Sequence, residues 1–177
     1  MSDELVQTPR LILRRWRDAD AAPFANMNAD PEVMRFIGDG RPLARDASDA
    51  FLARVEDEWE ERGHGLWAVE ERGAPGRLLG FCGLAVPMFL PQVLPAVEVG
   101  WRLRRDAWGR GLATEAARAA VAWGFEVLGL AEILTIVHPE NARSLRVAER
   151  LGMTARPDRL HPVTRVRLRV LGLQCAT

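Results

Sequence analysis

The stretch that most constrains this chain is Val97-Glu-Val-Gly-Trp-Arg-Leu-Arg-Arg-Asp-Ala-Trp-Gly-Arg-Gly-Leu-Ala-Thr-Glu-Ala-Ala117. Alternating residues up to Leu103 read as a strand, Gly109 and Gly111 as a tight turn, and the small apolar residues from Leu112 as a helix. A helix entered this way leaves its first N–H groups without partners inside the helix, and the aligned peptide dipoles give them partial positive charge. Glycine lets the backbone turn sharply and approach a ligand without a Cβ in the way. Together these features make a cradle for a diphosphate. Arg102, Arg104, Arg105 and Arg110 surround the turn as candidates for further phosphates, and Ala113 and Ala116 keep the helix slim. The spacing lacks the Gly-Lys-Ser/Thr of a Walker loop and the third glycine of the dinucleotide fingerprint. A plain strand-to-helix turn with a solvated arginine face is the alternative reading.

The rest of the chain supplies a sheet to hold that turn. Arg10 to Trp16 alternates as a strand, with Leu11 and Leu13 on one face. Asp18 and Asp20 offer N-caps for a short helix through Met27, with Pro23 in its first turn. Pro31 to Pro42 reads as a loop carrying Met34, Phe36 and Ile37. Ala47, Phe51, Val55 and Trp59 recur at i, i+4, predicting an amphipathic helix over Asp46 to Arg62 that stops at Gly63, with Glu56, Asp57, Glu60 and Glu61 toward solvent. Gly65 to Glu70 and Leu78 to Val86 read as a hairpin about Gly73, Pro75 and Gly76, and Ala96 to Leu103 as a further strand after the apolar loop Pro87 to Pro95. A helix over Gly111 to Leu128, a strand over Glu132 to Val137 and a helix over Asn141 to Leu151 follow, the last stopped by Gly152. Strands over Met153 to Arg156 and Thr164 to Leu171 close the chain. The order predicts an α/β (α+β) class: one domain over residues 1–177, a mixed sheet with helices on both faces.

Composition narrows the function classes. Of 177 residues, 24 are basic and 24 acidic, a net charge of zero that argues against nucleic acid as a partner. Every basic residue counted there is arginine; the chain has no lysine and no tyrosine, so no phenol serves as a proton donor. No apolar run reaches the ~18 residues of a membrane span, and Met1 to Arg10 lacks the apolar segment of a secretion signal, so a cytoplasmic location is expected. Cys82, in an apolar run, reads as a core residue; neither it and Cys175 nor His64, His138 and His161 have metal-ligand spacing, and no metal is expected.

Trp108-Gly-Arg-Gly-Leu-Ala-Thr-Glu-Ala116 resembles the acyl-CoA signature of the GNAT superfamily of N-acetyltransferases. The RimJ/RimL-type branch is more similar still: Glu98-Val-Gly-Trp101, Pro139-Glu-Asn-Ala-Arg-Ser144 and Leu151-Gly-Met153 fall in that branch's order and spacing, and Thr8-Pro-Arg-Leu-Ile-Leu-Arg14 matches its opening. Trp108 stands where the broad superfamily has Arg or Gln, and Leu168 where many relatives carry tyrosine.

The resemblance implies a central mixed, mostly antiparallel sheet and transfer of acetyl from acetyl-CoA to a primary amine, either a protein N-terminal amine or a small molecule. It implies a coenzyme site of Trp101, Arg102, Leu103, Trp108, Gly109, Arg110, Gly111, Leu112, Ala113, Thr114, Asn141 and Ser144, with the pantetheine arm along Trp101 to Leu103. Glu98 is the candidate base: strand alternation puts it opposite Val97, Val99 and Trp101, and a covered carboxylate is costly unless paired or used. A structural pairing with an arginine is the alternative. His138 is a candidate relay or a simple cap. Asn141 and Ser144 are spaced as N-cap and third helical residue, and the resemblance places them at the pantetheine and the sulfur. The loops Met34 to Ile37 and Pro87 to Pro95 frame the acceptor or form a dimer surface. A CoA-binding regulatory module without catalysis and a nucleotide-binding domain are the competing functions.

Overall fold

The computed structural model describes residues 5–175. Strand β1 (Val6–Gln7) pairs with β2 (Leu11–Arg14), whose Leu11 and Leu13 are fully buried. A 3-10 turn (Asp18–Asp20) leads into α1 (Ala21–Asn28), followed by the short α2 (Pro31–Met34) and the long α3 (Arg45–Arg62). Strands β3 (Leu66–Glu71) and β4 (Leu78–Ala85) form the hairpin, and β5 (Glu98–Leu103) runs antiparallel to β4. Helix α4 (Leu112–Glu126), β6 (Glu132–Val137), α5 (Ala142–Arg150), β7 (Thr154–Leu160) and β8 (Arg167–Gln174) complete the fold. The eight strands lie in the order β1-β2-β3-β4-β5-β6-β8-β7. Among the described residues only β5 and β6 run parallel, and their register holds at a single point, Glu98 against Leu134.

Both faces of the sheet are covered, which explains why β3 and β4 are apolar without alternation. On one face Phe81 of β4 meets Phe24 of α1 and Phe51 of α3, with ring centroids 6.2 and 5.6 Å away. On the other, α4 lies so close that a Cβ at Gly124 would come within 2.7 Å of Leu84 and 2.8 Å of Ile133. Ala116, Ala117 and Ala120 are buried there, so the small residues of α4 serve close helix–sheet packing. Trp67 of β3 sits between Trp59 and Trp123, 5.2 and 5.0 Å from their rings. Gly63, at φ +68°, ends α3 in the left-handed conformation that glycine favours.

Several expectations are corrected. Asp20 does not cap α1; it is buried in an ion pair with Arg14, whose Nη1 and Nη2 donate to its two oxygens at 2.7 and 2.9 Å. Arg14 is 4% exposed and also donates from Nε to Glu70 at 2.7 Å. A buried guanidinium requires such partners, and that demand outweighs capping. The loop from Pro31 contains α2, whose second residue, Glu32, donates its N–H to the Asp30 carboxylate at 2.9 Å. In α3 Val55 and Trp59 are buried as expected, but Ser48 and Leu52 join them while Ala47 is exposed and Phe51 half-buried. β7 runs on to Leu160 through a bulge between Arg156 and Arg159, and β8 starts at Arg167. β7 is an edge strand in which Arg156, Asp158 and Arg159 break any sustained apolar alternation. Among the described residues, no helix is long and apolar enough to cross a membrane.

Candidate functional site

β5 ends at Leu103, and a 3-10 turn (Arg105–Ala107) carries the chain to Trp108. The indole of Trp108 donates back to the Leu103 carbonyl at 2.8 Å, which closes the base of the loop. Gly109 and Gly111 have φ of +75° and +77°, values at which a side chain would be strained. Gly111 is the N-cap of α4, and its carbonyl accepts from the Glu115 N–H at 3.1 Å, so the N–H groups of Leu112, Ala113 and Thr114 precede the first helical bond. The Thr114 hydroxyl is buried without a partner. Glu115 ties the loop to the N-terminal segment, accepting from Thr8 Oγ1 at 2.6 Å and Arg10 Nε at 2.6 Å. Burial works to raise this carboxyl, but the Thr8 and Arg10 hydrogen bonds outweigh it and hold it below the ordinary range.

A cavity of about 280 Å³ opens in front of this loop. Trp101, Arg102, Leu103, Trp108, Gly109, Gly111, Leu112, Ala113 and Thr114 line it from the strand–turn–helix side, and Asn141 and Ser144 from α5. Arg110 does not: its side chain turns to an ion pair with Glu71. The other arginines expected at the phosphates are committed elsewhere too. Arg104 pairs with Asp106 at 2.6 Å and Arg105 with Asp30 at 3.4 Å. Besides Arg102, the cations at the cavity come from α5, as Arg143, Arg146 and Arg150, with Arg143 stacked 4.3 Å over the Trp108 ring. Sequence reading missed these three; the signal was their common helix, one end of which the Asn141 cap had already placed at the groove.

A second cavity of about 570 Å³ is lined by both β5, from Glu98 to Arg102, and β6, from Thr135 to Val137. Glu98, His138, Asn141 and Ser144 all line it, as do Met34, Phe36, Ile37 and Phe89 from the two apolar loops. Leu168 of β8 faces it at the position where a tyrosine was expected by resemblance. The two cavities share Phe36, Ile37, Trp101, Arg102, Asn141 and Ser144, so they meet beside β5 and the start of α5. Asn141 Oδ1 accepts from the Ser144 N–H at 3.2 Å, the geometry of an N-cap. His138 stacks on Phe36, with centroids 5.1 Å apart, and its Nδ1 accepts from the Glu140 N–H at 3.2 Å.

Glu98 is half-buried at this cavity and pairs with no arginine among the described residues. Burial, reinforced by the nearby charge of Glu58, pushes its carboxyl up to about 8. Glu58 lines the same cavity, and burial raises its carboxyl as well. The sequence did signal Glu58: it stands three residues after Val55 and seven after Phe51, on the apolar face of α3. Among the described residues, no group of three or more His, Cys, Asp or Glu is arranged to hold a metal ion.

Residues 10–154 match the acetyltransferase (GNAT) domain family. The chain is 33% identical over 152 residues to YkkB, an uncharacterized protein of Bacillus subtilis (strain 168), covering 82% of this chain and 83% of that one. It is 27% identical over 148 residues to YoaA of the same organism, an uncharacterized N-acetyltransferase, covering 84% and 81%. The crystal structure of an acetyltransferase from Agrobacterium tumefaciens str. C58 superposes with a TM-score of 0.83 at 30% identity, covering 99% of this chain and 96% of that one. With a mixed sheet split between two strands, a glycine turn at the mouth of the split and these likenesses in agreement, the chain belongs to the GNAT family and is an N-acetyltransferase.

Proposed function

We propose that the protein transfers acetyl from acetyl-CoA to a primary amine by direct attack, with both substrates bound at once. The observation that carries this reading is the meeting of two cavities at Trp101, Asn141 and Ser144, one bordered by the glycine turn and the other by an unpaired carboxylate. The first cavity fits the coenzyme: its rim has unpaired backbone N–H groups, an orphaned Thr114 hydroxyl and the α5 arginines. Gly109 to Thr114 would hold the diphosphate, Arg143, Arg146 and Arg150 offer charge to further phosphates, and Asn141 and Ser144 border the route to the sulfur. Bound there, the coenzyme supplies an acetyl group activated as a thioester.

The chain's own part is to make the amine nucleophilic and to aim it. An ammonium entering the second cavity favours the ionised form of Glu98, and the carboxylate then accepts a proton from it, directly or through water. Cys82 is buried in the core and Cys175 is exposed just after β8; neither lines either of these two cavities, which favours direct attack over a thiol-bound acetyl intermediate. The departing thiolate needs little help, since an ordinary thiol has a pKa of about 8.5; Ser144 is the hydroxyl at the junction. Within the family, the motifs Glu98 to Trp101, Pro139 to Ser144 and Leu151 to Met153 support the RimJ/RimL-type branch, and we read residues 1–177 as one cytoplasmic acetyltransferase domain.

Acetyl-CoA binding and turnover test this reading. A ligand that binds the native state raises the melting temperature. We expect acetyl-CoA to do so in preference to ATP or NAD, and CoA thiol to appear when amines are added. No stabilisation at high micromolar acetyl-CoA would overturn it, and binding without thiol release across an amine panel would mark a silent CoA-binding module.

A further inference from the structure

The second cavity contains one charge that no carboxylate among the described residues answers. Arg102 is 8% exposed, yet no carboxylate pairs with it among the described residues. Its Nη1 donates to Asn28 Oδ1 at 2.7 Å, and its Nε is buried with no acceptor. The guanidinium carbon lies 5.1 Å from the Phe81 ring and 5.5 Å from that of Phe51, both of which line the second cavity. Burial lowers its pKa only to about 10, so it stays charged at neutral pH. A desolvated cation held by one neutral amide and two ring faces is costly unless an anion completes it. The neighbouring Arg54 is different: it is exposed and acts on Glu58.

Strand geometry sets this charge opposite the candidate base. Glu98, Gly100 and Arg102 alternate onto one face of β5, placing the outer two roughly 13 Å apart along the backbone. Between them, a Cβ built at Gly100 would meet nothing within 4 Å, so the strand presents an acid, a notch and a base in a row. Both ends border the second cavity.

We infer that the acceptor is an amine that also carries a carboxylate, an amino acid, seated at the Gly100 notch with its amine toward Glu98 and its carboxylate on Arg102. This assignment rests on the acetyltransferase reading and moves Arg102 from the coenzyme to the acceptor. Nε itself lies out of solvent's reach, so the carboxylate meets the guanidinium at its Nη groups. A peptide N-terminus or a polyamine brings no such group beside its amine.

Matched acceptors test it. For several side chains, acetyl transfer is measured to the amino acid, to its carboxamide and to the decarboxylated amine. Loss of a charge-assisted hydrogen bond at a buried site predicts kcat/KM at least about tenfold higher for the acid than for either analogue. In R102M the ratio of acid to carboxamide falls toward one, with an unchanged far-UV circular dichroism spectrum showing that the variant is folded. N28D is the second variant: it gives Arg102 an internal anion, and we expect a higher melting temperature together with a raised KM for the acid. Equal kcat/KM for acid and carboxamide in the wild-type protein would overturn the inference while leaving the acetyltransferase reading intact. No transfer to any acceptor and no stabilisation by acetyl-CoA would overturn both.

Discussion

Glu98 and Leu134 face each other across β5 and β6 at the one point where these parallel strands are in register. The Leu134 N–H donates to the Val97 carbonyl at 2.9 Å, and beyond this rung the strands part. The candidate base therefore stands at the crotch of the fork, where a strand ladder gives way to cavity.

Glu98→Gln should lower kcat by about 10²-fold or more, the usual contribution of a positioned base. With an acceptor amine of pKa near 6, the wild-type rate should climb with pH and level off above about 8, where Glu98 is ionised. The variant should lack that limb. A rate profile identical to wild type would remove Glu98 from proton transfer.

The same carboxyl weakens the fold at neutral pH. Its folded-state pKa of about 8 lies above the ordinary 4.5, so between these values the unfolded chain gives up the proton first and stability falls as pH rises. The slope is at most ~1.4 kcal/mol per pH unit. The melting temperature of Glu98→Gln should exceed wild type by a margin that is absent near pH 4.5 and widens to pH 8. A constant margin would contradict the burial argument.

Gly111→Ala forces a side chain into φ +77° at the N-cap of α4. The strain costs ~1 kcal/mol or more, and any relief moves the N–H groups that face the first cavity. We expect KM for acetyl-CoA to rise at least about fivefold, read from initial rates at saturating amine. An unchanged KM would show that the turn does not grip the coenzyme.

Ser144→Ala keeps the N-cap bond, which uses the backbone N–H, and deletes only the hydroxyl at the junction. Turnover should fall modestly, by less than about tenfold, with acetyl-CoA binding retained by calorimetry. Unchanged kinetics would exclude the hydroxyl from the reaction.

Arg14→Met leaves Asp20 without its cation and Glu70 with only the more distant Arg17, 3.7 Å away. Removing one member of a buried ion pair costs about 3–5 kcal/mol, which denaturant melts should register. A neutral result would mean that both acids reach water when the guanidinium is gone.

Much of this was legible because the informative signals are local. The hairpin, the α3 stop at Gly63 and the turn at Gly109 and Gly111 follow from residues a few positions apart. So does the Asn141 cap. What escaped is non-local. Asp20 has the chemistry of a cap, and only the fold shows that Arg14 claims it. Arg102 and Arg110 look equivalent beside the turn, yet one folds over Phe51 and Phe81 and the other pairs with Glu71. Side-chain direction at the end of a strand depends on which helices cover each face, and no short window of sequence states that. β7 was foreshortened because an edge strand of Arg, Asp and Pro lacks the periodicity that a half-buried strand displays.

The lone rung between β5 and β6 also bears on how substrates come and go. Every other neighbouring pair in the sheet is zipped by an antiparallel ladder, β1 to β5 on one side and β6 to β8 on the other. Beyond that rung the facing edges of β5 and β6 carry no ladder to each other, so an extended arm lying between them takes up main-chain groups without displacing strand partners.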